Sequence, residues 1–331
     1  MTCPMASSPM ITTPLPYCPM LSVARYFFVE NDLMPKALLL ANRHSRRGDS
    51  PELQEACDLL EESGVTLIRA AAEKSANTDE IIAAHKDEID RVIVAGGDGS
   101  LNSVAGSLHQ HGLTLAILPL GTANDLARTL GIPDDLNKAC RIIIEGHCQW
   151  VDLGMVNGHY YFNVANMGLG TKITGELTPE VKKHWGVFSY LKALLAALSH
   201  RRSFRLKINV DGVDYKMQSM HVTVGNGRYY GGGNLVHENA RIDDGKLTLY
   251  SLKPLTFLQL LTLSPLLRTG AHHQSEQVFN IQGKNISIQT SRRLEVHADG
   301  EYLTDTPAQC QSVHRALQII VPRPKGGDEE I

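Results

Sequence analysis

Between Pro35 and about Trp150 short apolar runs alternate with helix-forming segments, and that alternation leaves few folds open to the chain. Lys36–Asn42 (KALLLAN), Val65–Ala72, Arg91–Ala95 (RVIVA) and Thr114–Leu118 read as buried strands. Helices are predicted to start at Ser50-Pro51-Glu52, with Ser50 as cap and Pro51 in the first turn, and at Thr78-Asp79-Glu80. Others are predicted from about Ser100 to Gln110, from near Asn124, and from about Leu136 to Glu145. Strands alternating with helices at this spacing build parallel βαβ units, so this half is predicted to be an open α/β sheet.

After Trp150 the texture changes. Val151–Gly154, Tyr160–Met167, Arg205–Val210, His221–Gly225, Lys246–Leu252 and Ile286–Gln289 alternate or are rich in β-formers, and Asn157-Gly158, Asp211-Gly212 and Asp244-Gly245 are turn signals between them. This half reads as an antiparallel β-sandwich, interrupted by helical inserts near Gly186–His200 and Thr256–Thr269. The predicted class is α/β plus β: residues 35–150 as a nucleotide-binding domain, completed by the segment around 306–324, and 151–305 as the sandwich. Residues 1–34, rich in Pro, Ser, Thr and Met, lack the basic start and continuous apolar core of a signal peptide. They read as a disordered extension, or as the product of a start chosen upstream of Met34.

Composition narrows the function. Of 331 residues, 43% are hydrophobic and 20% charged, as in a globular protein, and a net charge of -3 without basic runs argues against nucleic acid as a partner. Six scattered cysteines without a C-x-x-C pair suggest neither a zinc site nor a disulfide framework, which fits a reducing, cytoplasmic setting. The greasiest stretch, Leu255–Leu267, is broken by Thr256, Gln259, Thr262, Ser264 and Pro265, short of the roughly 20 apolar residues that a spanning helix needs.

Two βα loops carry the chemistry. Gly96-Gly97-Asp98-Gly99-Ser100 lies between a strand and a helix, where glycines let the backbone approach a ligand and the helix start offers N–H groups to an anion. Asp98 cannot favour bare phosphate, so it suits Mg²⁺, or water held on Mg²⁺, beside phosphates. A lone GGDG also fits a tight turn without ligand, the lesser of the two readings. The second loop, Leu118-Pro119-Leu120-Gly121-Thr122-Ala123-Asn124-Asp125, follows the next strand, so both loops can emerge at one carboxyl edge. Thr122 and Asn124 can hydrogen-bond phosphate or ribose, and Asn124 equally suits a helix cap.

GGDGSLNSVAGSL (Gly96–Leu108) with LPLGTANDLARTLGIP (Leu118–Pro133) closely resembles the diacylglycerol kinase catalytic-domain family, nearest its bacterial YegS-type lipid kinases. GGGNLVHENARIDDGKLTLYSL (Gly231–Leu252) and VHADGEYL (Val296–Leu303) extend the likeness over almost the whole chain. The resemblance implies an ATP site in a cleft between an α/β domain and a β-sandwich, Mg²⁺, and a lipid hydroxyl as acceptor. It implies nucleotide contacts at Asn42, near Ala71, at Gly96, Gly97, Asp98, Gly99, Ser100, Leu101 and Asn102, and at Thr122 and Asn124. Asp299 matches the general base and Glu301 its acidic companion, while Asp244 with backbone oxygens of Arg241 and Lys246 matches a structural Mg²⁺ site. Taken bare, Asp299-Gly300-Glu301 and Asp243-Asp244-Gly245 read as ordinary turns.

Some residues depart from the family pattern. Ser100 stands for its usual Thr, Ser103 for a usual Glu, and Asn42-Arg43-His44-Ser45-Arg46-Arg47-Gly48 lacks its Pro. A kinase of a soluble alcohol such as NAD, or a nucleotide-binding regulator without catalysis, are the competing readings. Adjacent His272 and His273 point apart and chelate poorly. The segment around Phe188, Leu191, Leu194, Leu195 and Leu198 has core spacing, or serves lipid entry with its basic end at anionic head groups. The resemblance implies as partner a lipid at a membrane surface, met transiently from the cytoplasmic side; a homodimer is the expectation by frequency alone.

Overall fold

Strands β1 (Lys36–Ala41), β2 (Thr66–Ala71), β3 (Arg91–Gly96) and β4 (Thr114–Pro119) pair in parallel, with helices α1 (Pro51–Glu62), α2 (Ser75–His85) and α3 (Asp98–His111) in the crossovers. The computed structural model describes residues 35–41, 50–71, 75–168, 203–237, 240–256, 259, 266 and 275–324. The chain divides into Met1–Met34, outside the described residues, and Pro35–Ile331, to which everything below refers. Buried on both faces, β1, β3 and β4 read as continuous apolar runs rather than alternating ones. Helix α1 is capped as its sequence predicts, the Ser50 hydroxyl accepting from Leu53 N–H at 3.3 Å. Two further helices follow, α4 (Asp125–Thr129) and α5 (Leu136–Glu145), the latter capped by Asp135.

The second half contributes β5 (His147–Val156), β6 (His159–Tyr161), β7 (Val164–Gly168), β8 (Phe204–Val210), β9 (Val213–Ser219), β10 (His221–Gly225), β11 (Tyr229–Tyr230) and β12 (Asn234–Leu235). Then come β13 (Leu247–Leu252), β14 (Val278–Gly283), β15 (Asn285–Thr290), β16 (Glu295–Ala298), β17 (Glu301–Asp305) and β18 (Ala308–Val321). A six-stranded sheet in the order β14-β13-β10-β7-β16-β17 faces the outer part of a larger sheet ordered β2-β1-β3-β4-β18-β15-β8-β9, with β5 and β6 attached through β18. Their facing sides share a core of alternating residues: Phe204, Leu206, Ile208 and Val210 from β8 meet Ala165, Met167, Val222, Val224 and Val296 from the other sheet. The α/β half and the antiparallel sandwich are therefore both present.

β18 ties them together. Its last residues lie beside β4 and the start of β5, and its first residues pair with β15 and the end of β5. The change of texture after Trp150 falls inside β5, which runs from one half into the other.

Three local differences from expectation bear on the site. Helix α3 starts at Asp98 rather than Ser100, because extended Gly97 (φ -102°, ψ -172°) takes the N-cap place. The expected strand Tyr160–Met167 is two strands, broken at Phe162-Asn163. Asn157-Gly158 and Asp211-Gly212 do close hairpins, yet Asp244-Gly245 closes none: Gly245 N–H donates instead to the buried Asp152 Oδ2 at 2.6 Å. The helical inserts expected near Gly186–His200 and across most of Thr256–Thr269, with His272 and His273, lie outside the described residues.

Candidate active site

The two glycine loops emerge side by side at the carboxyl ends of β3 and β4, tied by Leu120 N–H donating to Gly96 O at 3.0 Å. They touch through glycines: a Cβ on Gly121 would stand 2.6 Å from Gly97 Cα, and one on Gly97 would stand 3.0 Å from Gly121 Cα. No side chain fits at that crossing, which is the physical reason for glycine in both loops. In α3 the first intrahelical bond runs from Leu101 N–H to Gly97 O, so the N–H groups of Asp98, Gly99 and Ser100 precede the helical ladder and the positive end of the helix lies at the loop.

Asp98 performs a task that its motif did not announce. Its Oδ2 accepts from Asp125 N–H at 3.1 Å and its Oδ1 from Leu126 N–H at 3.0 Å, so it caps α4 from the neighbouring loop. Both oxygens that were expected to face Mg²⁺ thus already hold N–H donors. Asn124, at the N-cap place with φ 49°, makes no side-chain cap bond; its Nδ2 donates to Gly121 O and Asp134 Oδ1 and shapes the loop. Leu101, among the expected nucleotide contacts, has its side chain in the core and its N–H bonded to Gly97 O. Asn102 is buried at 8% exposure with Oδ1 unpartnered, and Thr122 is exposed. Ala71 ends β2 opposite Ala41, while Asn42 lies outside the described residues.

From the other half comes the hairpin β16–β17, turned by Asp299 (φ 49°) and Gly300 (φ 94°). Asp and Asn are the non-glycine residues most tolerant of such a backbone. The break between β6 and β7 serves this turn: Phe162 N–H and Asn163 N–H donate to Asp299 Oδ2, each at 3.1 Å, and Val164 N–H donates to Oδ1 at 3.0 Å. Burial, and then the nearby Asp98 carboxylate, outweigh these donors and raise the Asp299 pKa to about 7. Glu301 reaches across the cleft, its Oε1 2.9 Å from where a Cβ on Gly99 would stand, and burial raises its pKa as well. Residues 99 and 301, remote in sequence, meet at the start of α3.

Two contacts escaped the sequence reading. Asp125 accepts from Gly232 N–H and Gly233 N–H, each at 2.9 Å, and so fastens α4 to the glycine run of the second half. Burial raises its pKa first of all, and Asp98 adds to this. Asn163 donates its N–H to Asp299 and its Nδ2 to Asp98 Oδ1 at 3.4 Å. The sequence signal for Asp125 was its place in Asn124-Asp125; for Asn163 there was none, because it sat inside an expected strand.

The Asp244 region forms a second cluster. Asp244 Oδ1 accepts from Lys246 N–H at 2.9 Å, Arg241 pairs with Asp243 at 2.9 Å, and burial, with Asp152 and Asp243 adding, raises the Asp244 pKa. Asp152 holds this loop from beneath, accepting from Gly245 N–H, Arg315 N–H and His314 Nδ1. Among the described residues no three His, Cys, Asp or Glu group closely enough to hold a metal.

A glycine loop at a helix start is faced here by a carboxylate turn from the β-sandwich, the donor-and-base pairing that phosphoryl transfer uses. Residues 36–156 match the family described as the diacylglycerol kinase catalytic domain, and residues 164–321 match the YegS C-terminal NAD kinase beta sandwich-like domain. A diacylglycerol kinase of Staphylococcus aureus (strain JH9) is 30% identical over 274 residues, which cover 82% of this chain and 87% of the relative. One from Staphylococcus carnosus (strain TM300) is 28% identical over 274 residues, covering 82% and 90%. A crystal structure of a diacylglycerol kinase candidate from Bacillus anthracis str. Sterne superposes with a TM-score of 0.75 at 26% identity, covering 90% of this chain and 99% of that one. The chain belongs to the diacylglycerol kinase family, in its YegS-type branch: it is a lipid kinase that phosphorylates an alcohol group.

Proposed function

We propose that the chain transfers the γ-phosphate of ATP to the hydroxyl of diacylglycerol or a closely related glycero- or sphingolipid. The observation that carries this reading is the meeting of the Asp299–Glu301 turn with the glycine loop at Gly99. The triphosphate lies over the start of α3, where N–H groups and the helix dipole receive it. The acceptor hydroxyl lies beside Asp299, its oxygen attacks the γ-phosphorus, the bond to the β-bridging oxygen breaks, and the proton passes to Asp299. A carboxylate offers about four lone-pair positions, and three are filled by Phe162, Asn163 and Val164 N–H, which leaves one for the hydroxyl. A pKa of about 7 suits a base working near neutral pH.

Mg²⁺ held on the triphosphate would supply charge neutralisation there, with the N–H groups at the start of α3 beside it. Asp244 brings a single carboxylate already bonded to Lys246 N–H, and no step of transfer runs through it. Among the described residues no helix is long and apolar enough to cross a membrane. The acceptor lipid is taken to be met at a membrane surface because a lipid alcohol lies in one.

The test is transfer from γ-labelled ATP into a total lipid extract in mixed micelles, with Asp299→Asn as control. Asn tolerates the same positive φ, and its Oδ1 still accepts from part of the Phe162–Val164 N–H set while its Nδ2 leaves the remainder unpaired, so folding of the variant is checked by its melting transition. The labelled lipid should fall by at least about 100-fold in the variant while ATP binding persists. Undiminished transfer by Asp299→Asn would remove Asp299 from the mechanism.

A further inference from the structure

We infer that Asn163 is a positioning residue of the transfer reaction, holding the loop carboxylate of Asp98 and the carboxylate of Asp299 at a set separation across the cleft. The inference rests on the function proposed above and concerns a residue that no motif singled out. Among the described residues Asn163 is the one that hydrogen-bonds to both carboxylates: its main-chain N–H to Asp299 Oδ2 at 3.1 Å, its side-chain Nδ2 to Asp98 Oδ1 at 3.4 Å. It is 2% exposed and its Oδ1 has no partner. Its carbonyl accepts from Asn226 N–H at 2.8 Å and Gly227 N–H at 3.0 Å, and Asn226 Nδ2 holds the preceding Phe162 carbonyl at 2.9 Å. The amide is walled in, since a Cβ on Gly227 would stand 2.9 Å from its Oδ1. The break between β6 and β7 is therefore bonded from both sides, and its one committed side-chain bond points at the phosphate loop.

Like charges in a partly dry cleft repel, and an N–H donated to Asp98 disperses part of the charge that Asp299 faces. The titratable groups around Asp299 are Asp98 from α3, the Tyr161 phenol from β6 and Glu301 from its own hairpin; of these, Asn163 touches Asp98. Asn163→Ala is a selective change. The bonds to Asp299, Asn226 and Gly227 use main-chain atoms and persist, so only the link to Asp98 is lost.

The experiment compares kcat–pH profiles of the full chain and of Asn163→Ala. The acid limb of the variant should move up by about one pH unit, a loss of about fivefold in kcat at pH 7, nearing tenfold below it, that recovers in alkali. KM for ATP should stay within about twofold. Asn163→Asp, which sets a carboxylate against Asp98, should move the limb further. An equal loss at every pH, or an unmoved limb, would overturn the inference and leave Asn163 a packing residue. Should Asn163→Ala fail to fold, Asn163→Ser removes the same amide and keeps a polar side chain. If the unsubstituted chain transfers phosphate to no lipid, the proposed function fails by itself. Titration of the Asp299 carboxyl carbon by NMR then still decides the role of Asn163: a higher midpoint in Asn163→Ala upholds the link and an equal midpoint refutes it.

Discussion

Asp299 combines two opposed demands. Three N–H donors favour its charged form, while burial and Asp98 disfavour it more strongly, so its pKa stands at about 7 against roughly 3.9 for a free aspartate. The activity of the chain should therefore rise with pH through about 7, as the base loses its proton. Stability runs the other way. A carboxyl whose pKa is raised on folding contributes stability that is present below the unfolded value and is lost as pH climbs through the folded one. The melting temperature of the native chain relative to Asp299→Asn should accordingly fall between pH 5 and pH 8, measured by calorimetry on both proteins. A difference that does not change with pH would show that Asp299 titrates normally. Ser103 belongs to the same scale: its hydroxyl donates to Ser100 O at 2.9 Å, within its own helix, so the missing family Glu is replaced by a purely local bond.

Elements set the geometry that single residues use. Helix α4 is five residues long, too short to persist by itself, and it is held at its start by Asp98 and onto the second half by Asp125. The two glycine loops behave as one unit because their backbones touch at Gly97 and Gly121. Gly121→Ala should push them apart, since its Cβ would meet both Gly97 Cα and Asn124 Oδ1 at 2.6 Å. Overpacking of this kind costs about 1–3 kcal/mol, and ATP affinity should weaken with it. Isothermal titration with ATP and urea unfolding measure the two effects; unchanged affinity together with an unchanged midpoint would mean that the loops do not rely on this contact. The same logic explains the turn at Asp299, where the hairpin between β16 and β17 exists to present a carboxylate, while the break between β6 and β7 exists to receive it.

At the scale of the whole molecule, β18 is the strand on which both halves depend. It lies beside β4 in the α/β sheet and beside β15 in the sandwich, and pairs with β5 along nearly its full length. Its register shift between Val313 and Leu317 falls where Arg315, at φ 50°, gives its N–H to Asp152. A chain ending before Thr306 would leave β4, β5 and β15 with open edges and strip the core of Leu317, Ile319 and Ile320, all buried here. Such a truncation should not fold into either half, read out as loss of soluble protein and of a cooperative melting transition. Recovery of a folded α/β half would show that β18 is dispensable to it.

Much of this was legible in the chain itself. The apolar runs KALLLAN and RVIVA, the Ser50 cap, and the two glycine loops act over a few residues, so local chemistry marks them and the α/β half follows. Asp299 and Glu301 were legible only through likeness to a family, since a D-G turn by its own residues is any hairpin turn. Three things were decided by tertiary structure alone: the meeting of Glu301 with Gly99, the capping of α4 by Asp98, and the bridge through Asn163. Each joins residues tens to hundreds of positions apart. No periodicity, cap rule or turn preference reaches that far, because such contacts exist only once the sheets have closed on their cores and brought two remote loops to one cleft.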